Sequence, residues 1–207
     1  MTDHFAALAE ERRPAPDLGE LKSRFLRLSA EAHPDRFHGA SGEAREAVER
    51  RYANLNAAYQ ILREHRSRLL HLLELESGAR PRDVQRIPPG TMDLFVEVGQ
   101  ICRDVDGYLA RRGTVTSPML KVQLFQQGLE WSVKLKALQE RIQAKAVALE
   151  QELAGMNAAW QTAPAVGSPD RAGQLPLARL EEVYRVFSYI ARWTEQIQER
   201  VVQLASV

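Results

Sequence analysis

The 207-residue sequence has a single cysteine, Cys102, and its aromatic residues amount to 7%. One thiol can form neither an internal disulfide nor a cysteine-rich metal site, which suits a reducing compartment. Lying in an apolar helical stripe, Cys102 reads as a small buried hydrophobe. No run of about 18 consecutive apolar residues occurs, so no membrane span is expected. The N-terminal residues lack a basic stretch followed by an apolar one, so no secretory signal is expected, and the expected location is cytoplasmic. Neither sign of charge dominates: the formal net charge is +1, which offers no global argument for nucleic acid or an anionic membrane as a partner. The alternating patterns that mark strands are nearly absent too.

What is present is helical periodicity. Apolar residues recur at steps of three and four along most of the chain, which predicts an all-α fold. Phe5 and Leu8 predict a short helix over 3–11, broken by Pro14 and Pro16. Asp17 is placed to cap the next helix, in which Leu18, Leu21, Phe25 and Leu28 form one stripe. That helix must end near residue 32, because Pro34 disfavours α geometry at His33. A loop rich in Gly, Ala and Ser runs to Gly42, and Val48, Tyr52, Leu55, Tyr59 and Leu62 define the stripe of a longer helix. Two such helices joined by a short loop predict an antiparallel hairpin with His33, Pro34 and Asp35 at its exposed tip. Asn56 is expected to make a helix-surface or interhelix hydrogen bond. A leucine-rich helix over 66–76 ends at Gly78, a suitable C-cap.

Three chemistries for the tip fare poorly. A plain helix-terminating turn leaves the flanking pattern unexplained. A metal site from His33, Asp35 and His38 needs ligands converging with a supporting shell, which an exposed loop does not supply. Ser29 and Ser41 lie near, but no strand-to-helix nucleophile elbow accompanies them. A rigid tip carrying a carboxylate, beside a helix bearing arginines, suits a protein–protein contact made by charge-assisted hydrogen bonds. No convergent polar constellation argues for an enzyme, and no cofactor is expected.

The order short helix, amphipathic helix, His33-Pro34-Asp35, amphipathic helix resembles a J-domain. Asp3-His4-Phe5, the run His33-Pro34-Asp35-Arg36-Phe37, the segment Leu55-Asn56-Ala57-Ala58-Tyr59-Gln60-Ile61-Leu62 and the arginine-plus-leucine stretch from Arg66 to Leu73 narrow the resemblance to the HscB family of co-chaperones. The resemblance implies that His33, Pro34 and Asp35 dock on a DnaK/HscA-type chaperone and favour its ATP-hydrolysing state, with Lys22, Arg24, Arg27 and Arg36 as the electrostatic surround. Glu31 and Ala32 stand where J-domains usually carry a lysine and a tyrosine, so this surround is thinner than usual.

Prolines and polar residues over 79–90 predict a linker between a J-domain at 1–78 and a second domain at 91–207. There Thr91 is placed to cap a helix with the stripe Leu94, Phe95, Val98, Ile101, Cys102, Val105 and Tyr108. A long helix follows from Pro118 to about residue 160, then a loop over 162–175 rich in Pro, Gly and Ala, read as mobile surface. A last helix from about Pro176 carries Leu180, Tyr184, Phe187, Ile190, Ile197, Val201 and Leu204. These three helices predict an antiparallel bundle. The HscB resemblance implies that this bundle presents a client, an iron–sulfur cluster scaffold protein. Met92, Phe95, Val96 and Glu97 are the candidates for the client surface, although the apolar ones fit the bundle core better. Two other readings stay open: a J-domain co-chaperone for a different client, and a helical interaction or assembly protein with a vestigial J-domain.

Overall fold

The computed structural model describes residues 2–33, 35, 42–81 and 87–206, and among these it is all-α with no strand. The helices are α1 (His4–Ala7), α2 (Leu18–Glu31), α3 (Gly42–Arg63), α4 (His65–Ser77), α5 (Met92–Thr114), α6 (Pro118–Thr162), α7 (Arg171–Gln174) and α8 (Leu177–Ala205). The compact units do not follow chain order: residues 150–184 group with 1–83, and residues 185–207 with 84–149. No helix among the described residues is long and apolar enough to cross a membrane.

In the first unit, α1 is shorter than its apolar pair suggests. Asp3 caps it through its side chain, but Ala9 takes φ +50° and Glu10 N–H returns to the Phe5 carbonyl, so the turn closes there. Asp17 caps α2 by accepting from Gly19 and Glu20, which satisfies two of the free N–H groups of the first turn. The expected α2–α3 hairpin forms. Phe25 stacks on Tyr59 with ring centroids 4.3 Å apart, and Leu21, Leu55, Ala58 and Leu62 are buried. Leu18, at the exposed start of the helix, stays outside this core. Asn56 donates to the Tyr52 carbonyl one turn back at 2.9 Å, a surface bond within α3. Gly78 ends α4 in the left-handed conformation, φ 71°, where glycine carries no Cβ penalty.

A buried arginine joins these parts. Arg68, 2% exposed, donates from Nε to the Pro14 carbonyl at 2.9 Å and from Nη1 to the Leu62 carbonyl at 2.7 Å. The Leu62 carbonyl belongs to the last turn of α3, where no intrahelical donor is left and the helix dipole is negative. Burial lowers the Arg68 pKa to about 10, opposed by Glu64 and Glu150, so the guanidinium remains charged at neutral pH.

The 162–175 loop is not simply mobile surface. Arg171 in α7 is buried, makes paired bonds to Glu76 at 2.8 and 3.0 Å, and donates to the Pro164 carbonyl at 2.6 Å. Leu175 is buried beside it in sequence. A two-point arginine–carboxylate contact fixes orientation as well as distance, and this anchors a segment whose composition alone reads as free.

The second unit is a three-helix arrangement of α5 with parts of α6 and α8. Its core is Val98, Cys102 and Val105 from α5, Leu135, Leu138 and Ile142 from α6, and Trp193 and Ile197 from α8. Burial raises the Cys102 thiol pKa, which keeps it an unreactive apolar filler. Thr91 makes no side-chain cap to α5; its hydroxyl instead donates to the Pro88 carbonyl at 2.6 Å. Tyr108 donates to the Leu124 carbonyl at 2.7 Å, and a Cβ on Gly128 would stand 2.7 Å from the same hydroxyl, so glycine is what lets α5 and α6 approach here.

Two outcomes follow for stability. Arg68→Ala leaves two buried carbonyls without their donor and opens a cavity, so it should cost about 3 kcal/mol or more in urea unfolding; a change of about 0.5 kcal/mol or less would show that the guanidinium holds nothing together. The second concerns His71, whose Nε2 accepts the His4 N–H at 3.1 Å while the two imidazole rings lie 4.6 Å apart. Burial, and then the charge on His4, lower the His71 pKa to about 4. A depressed histidine binds its proton more readily when unfolded, so this stability is complete above the unfolded value near pH 6.5 and is lost as pH falls towards 4. The loss should reach about 2–3 kcal/mol in unfolding titrations, and His71→Gln should flatten that part of the pH profile. An unchanged profile in the variant would contradict this origin.

Candidate functional site

The hairpin end is built by α2 stopping on time. Ala32 caps α2 at φ −96°, ψ 13°, with its N–H returned to the Leu28 carbonyl, and its side chain is buried. The chain then leaves the helix at His33, whose ring meets Tyr52 of α3 edge-on at 5.5 Å. Asp35 N–H donates to His33 Nδ1 at 3.3 Å, and an Asp35 carboxylate oxygen lies 3.5 Å from the same nitrogen. The Asp35 side chain is 73% exposed. Pro34 and Arg36 lie outside the described residues, as do Phe37, His38 and the rest of the loop before Gly42.

The cations expected around the motif divide into different situations. Lys22 is exposed on α2. Arg27 is exposed but faces Glu31 at 3.4 Å, one turn on, an exposed pair of little energetic weight. Arg24 is turned away from solvent duty: it contacts Glu10 at 2.8 Å and donates to the Ala9 carbonyl. Glu10 is itself buried and also meets Arg13 at 2.6 Å. Removing Arg24 would strip a buried carboxylate of one of its two guanidinium partners.

At the start of α5, Met92, Phe95 and Val96 are 53%, 40% and 57% exposed. The core-facing placement of these apolar residues, and of Phe95 in the buried stripe of α5, is therefore corrected. The core turns instead on Val98 and Cys102, and Phe95 points a ring edge at Tyr189 of α8, centroids 6.1 Å apart. Glu97 is engaged by Arg141 of α6. Phe95 and Val96 line a groove of about 380 Å³ with Tyr189, Arg192 and Trp193. Tyr189 and Arg192 escape a reading by periodicity because they fall beside the apolar stripe of α8. The guanidinium of Arg192 lies 4.9 Å from the Tyr189 ring centroid, a cation–π arrangement at the groove edge.

A comparison with solved structures gives a likeness over nearly the whole chain. The human co-chaperone protein HscB matches with a TM-score of 0.62 and 20% identity, covering 96% of this chain and 81% of that one. The chain has an HscB-like fold. The chaperone HscB from Vibrio cholerae matches with a TM-score of 0.47 and 21% identity, covering 95% of this chain and 99% of that one. No protein-family model matches the chain.

The division of roles among the α2 cations has a direct consequence. Arg24→Ala should lower stability by about 1–3 kcal/mol, because it leaves buried Glu10 under-paired. Lys22→Ala and Arg27→Ala should stay within about 0.5 kcal/mol of the parent. Chemical denaturation of the three variants decides; equal effects would remove the distinction between a structural arginine and surface cations.

Proposed function

We propose that this protein is a J-domain co-chaperone of the HscB type. It docks on a DnaK/HscA-type chaperone through His33, Pro34 and Asp35, stimulates its ATPase, and presents a client through the helical bundle. The client is an iron–sulfur cluster scaffold protein, and the reading places the protein in iron–sulfur protein maturation. It catalyses no reaction itself.

The observation that carries the reading is the tripeptide at the end of α2, on a hairpin held by the Phe25–Tyr59 stack, in a chain with an HscB-like fold. The exposed Asp35 carboxylate is available to a cationic group on the chaperone. Lys22 and Arg27 on α2, and Arg36 after the motif, supply the positive surround. Arg24 contributes through the α1–α2 junction. Docking accelerates hydrolysis only if it is tighter to the hydrolysing state, which is the thermodynamic content of stimulation.

For the client, exposed Met92, Phe95 and Val96 with Glu97 on α5 offer an apolar patch with a charged edge, the composition of a protein-binding surface. That patch suits a client other than a scaffold just as well, so a J-domain protein with a different client is the second reading.

Steady-state ATPase assays with a DnaK-type chaperone test the docking. The parent chain should stimulate turnover, and Asp35→Asn should lower the stimulation about tenfold or more without changing the thermal midpoint. Full stimulation by the variant would contradict the assignment.

A further inference from the structure

The second unit carries another apolar surface, about 30 Å along α5 from Met92 at the 1.5 Å rise of a helix. The C-terminal end of α5, the start of α6 and the end of α8 enclose a groove of about 630 Å³. Its floor is Tyr108, Leu124, Gly128, Val201 and Leu204, and Phe125 and Leu129 form one wall.

The wall continues as a stripe that nothing among the described residues covers. Val122, Phe125, Leu129 and Val133 recur at steps of three and four on α6 and are 62%, 64%, 54% and 68% exposed. The opposite face of the same helix buries Leu135, Leu138 and Ile142 in the core. The helix is therefore apolar on two faces, and a surface helix needs only one. The stripe runs about 16 Å, three turns, the length over which a docked helix aligns its own apolar face.

Charge selects the occupant. Between residues 107 and 137 the cations are Arg111, Arg112, Lys121, Lys134 and Lys136, and the only acid is Glu130, in a chain whose total is +1. Lys121 and Arg112 line the groove itself. The Arg112 guanidinium donates to the Gln203, Leu204 and Ser206 carbonyls at the end of α8, at 2.8 to 3.1 Å, so among the described residues its charge meets backbone dipoles and no carboxylate. Lys121 and Lys136 make no ion pair among the described residues. A concave apolar floor with an unbalanced basic rim fits a helix that is apolar on one face and acidic on its flanks.

We propose that this groove binds an acidic amphipathic helix of a partner protein, at a site separate from the Met92–Glu97 surface. The test uses the full chain and a fluorescein-labelled peptide of about 18 residues, with leucines at helical spacing flanked by glutamates. Anisotropy should show saturable binding that weakens about tenfold in Phe125→Ser and Leu129→Ser, and several-fold in Lys121→Glu. A peptide with lysines in place of the glutamates should bind about tenfold more weakly. Phe95→Ser and Asp35→Asn should leave the affinity unchanged, which separates this site from the client and chaperone contacts. These side chains are exposed, and unchanged circular-dichroism melts would keep misfolding out of the comparison. Equal binding of the two peptides, or insensitivity to Phe125→Ser, would overturn the proposal. So would a Phe125-dependent dimer in sedimentation, which would make the occupant a second copy. Phe125-dependent pelleting with vesicles of phosphatidylcholine and phosphatidylserine, without peptide binding, would overturn it in favour of a lipid surface.

Discussion

The Arg68 guanidinium lies between two carbonyls and donates to both, one at the end of α3 and one at Pro14. Taking a charge out of water is costly, and it is tolerated when hydrogen bonds replace the lost hydration. Both bonds here run to main-chain oxygens. The contact therefore fixes backbone to backbone, joining the α3–α4 turn to the segment that leads into α2. Other ties converge on that segment: Asn157 exchanges two hydrogen bonds with Ala15 at 3.1 and 2.7 Å, and Arg24 reaches back to Ala9 and Glu10. The start of α2 is thereby set from several sides. With the Phe25–Tyr59 stack holding its middle, its end at His33 has little freedom over where it presents the tip.

The second unit applies the same economy differently. One continuous core between three helices leaves apolar residues over at each end of α5. Near the start they sit among Tyr189, Arg192 and the Glu97–Arg141 pair; near the end they adjoin Lys121 and Arg112. The first patch is flanked by both signs of charge and the second by cations, so the two surfaces suit partners of different chemistry.

Much of this was legible in the sequence, and the rest was hidden for identifiable reasons. Proline and glycine punctuation with the period of three and four located the helices, the hairpin and the Gly78 cap, because those signals are local. The arginines were less legible. Arg24 fits an electrostatic surround by sequence, yet it is turned towards Glu10 and Ala9, and the inward contacts of Arg68 and Arg171 cross 54 and 95 residues, which no local pattern encodes. The 162–175 segment read as free for the same reason: its composition is that of a loop, and its anchor is Glu76. Phe95 fits the apolar period of α5 and still lies 40% exposed, since periodicity reports which residues share a face but not how far a neighbouring helix covers it.

The central claim, that a tip held by internal arginine contacts is what a chaperone engages, is tested most directly by hydrogen–deuterium exchange of the full chain with and without an ATP-bound DnaK-type chaperone. Exchange should slow along α2 and through His33 and Asp35 when the chaperone is present, with α4 around Arg68 already slow and unchanged. Protection confined to the second unit, with α2 exchanging as in the free protein, would contradict it.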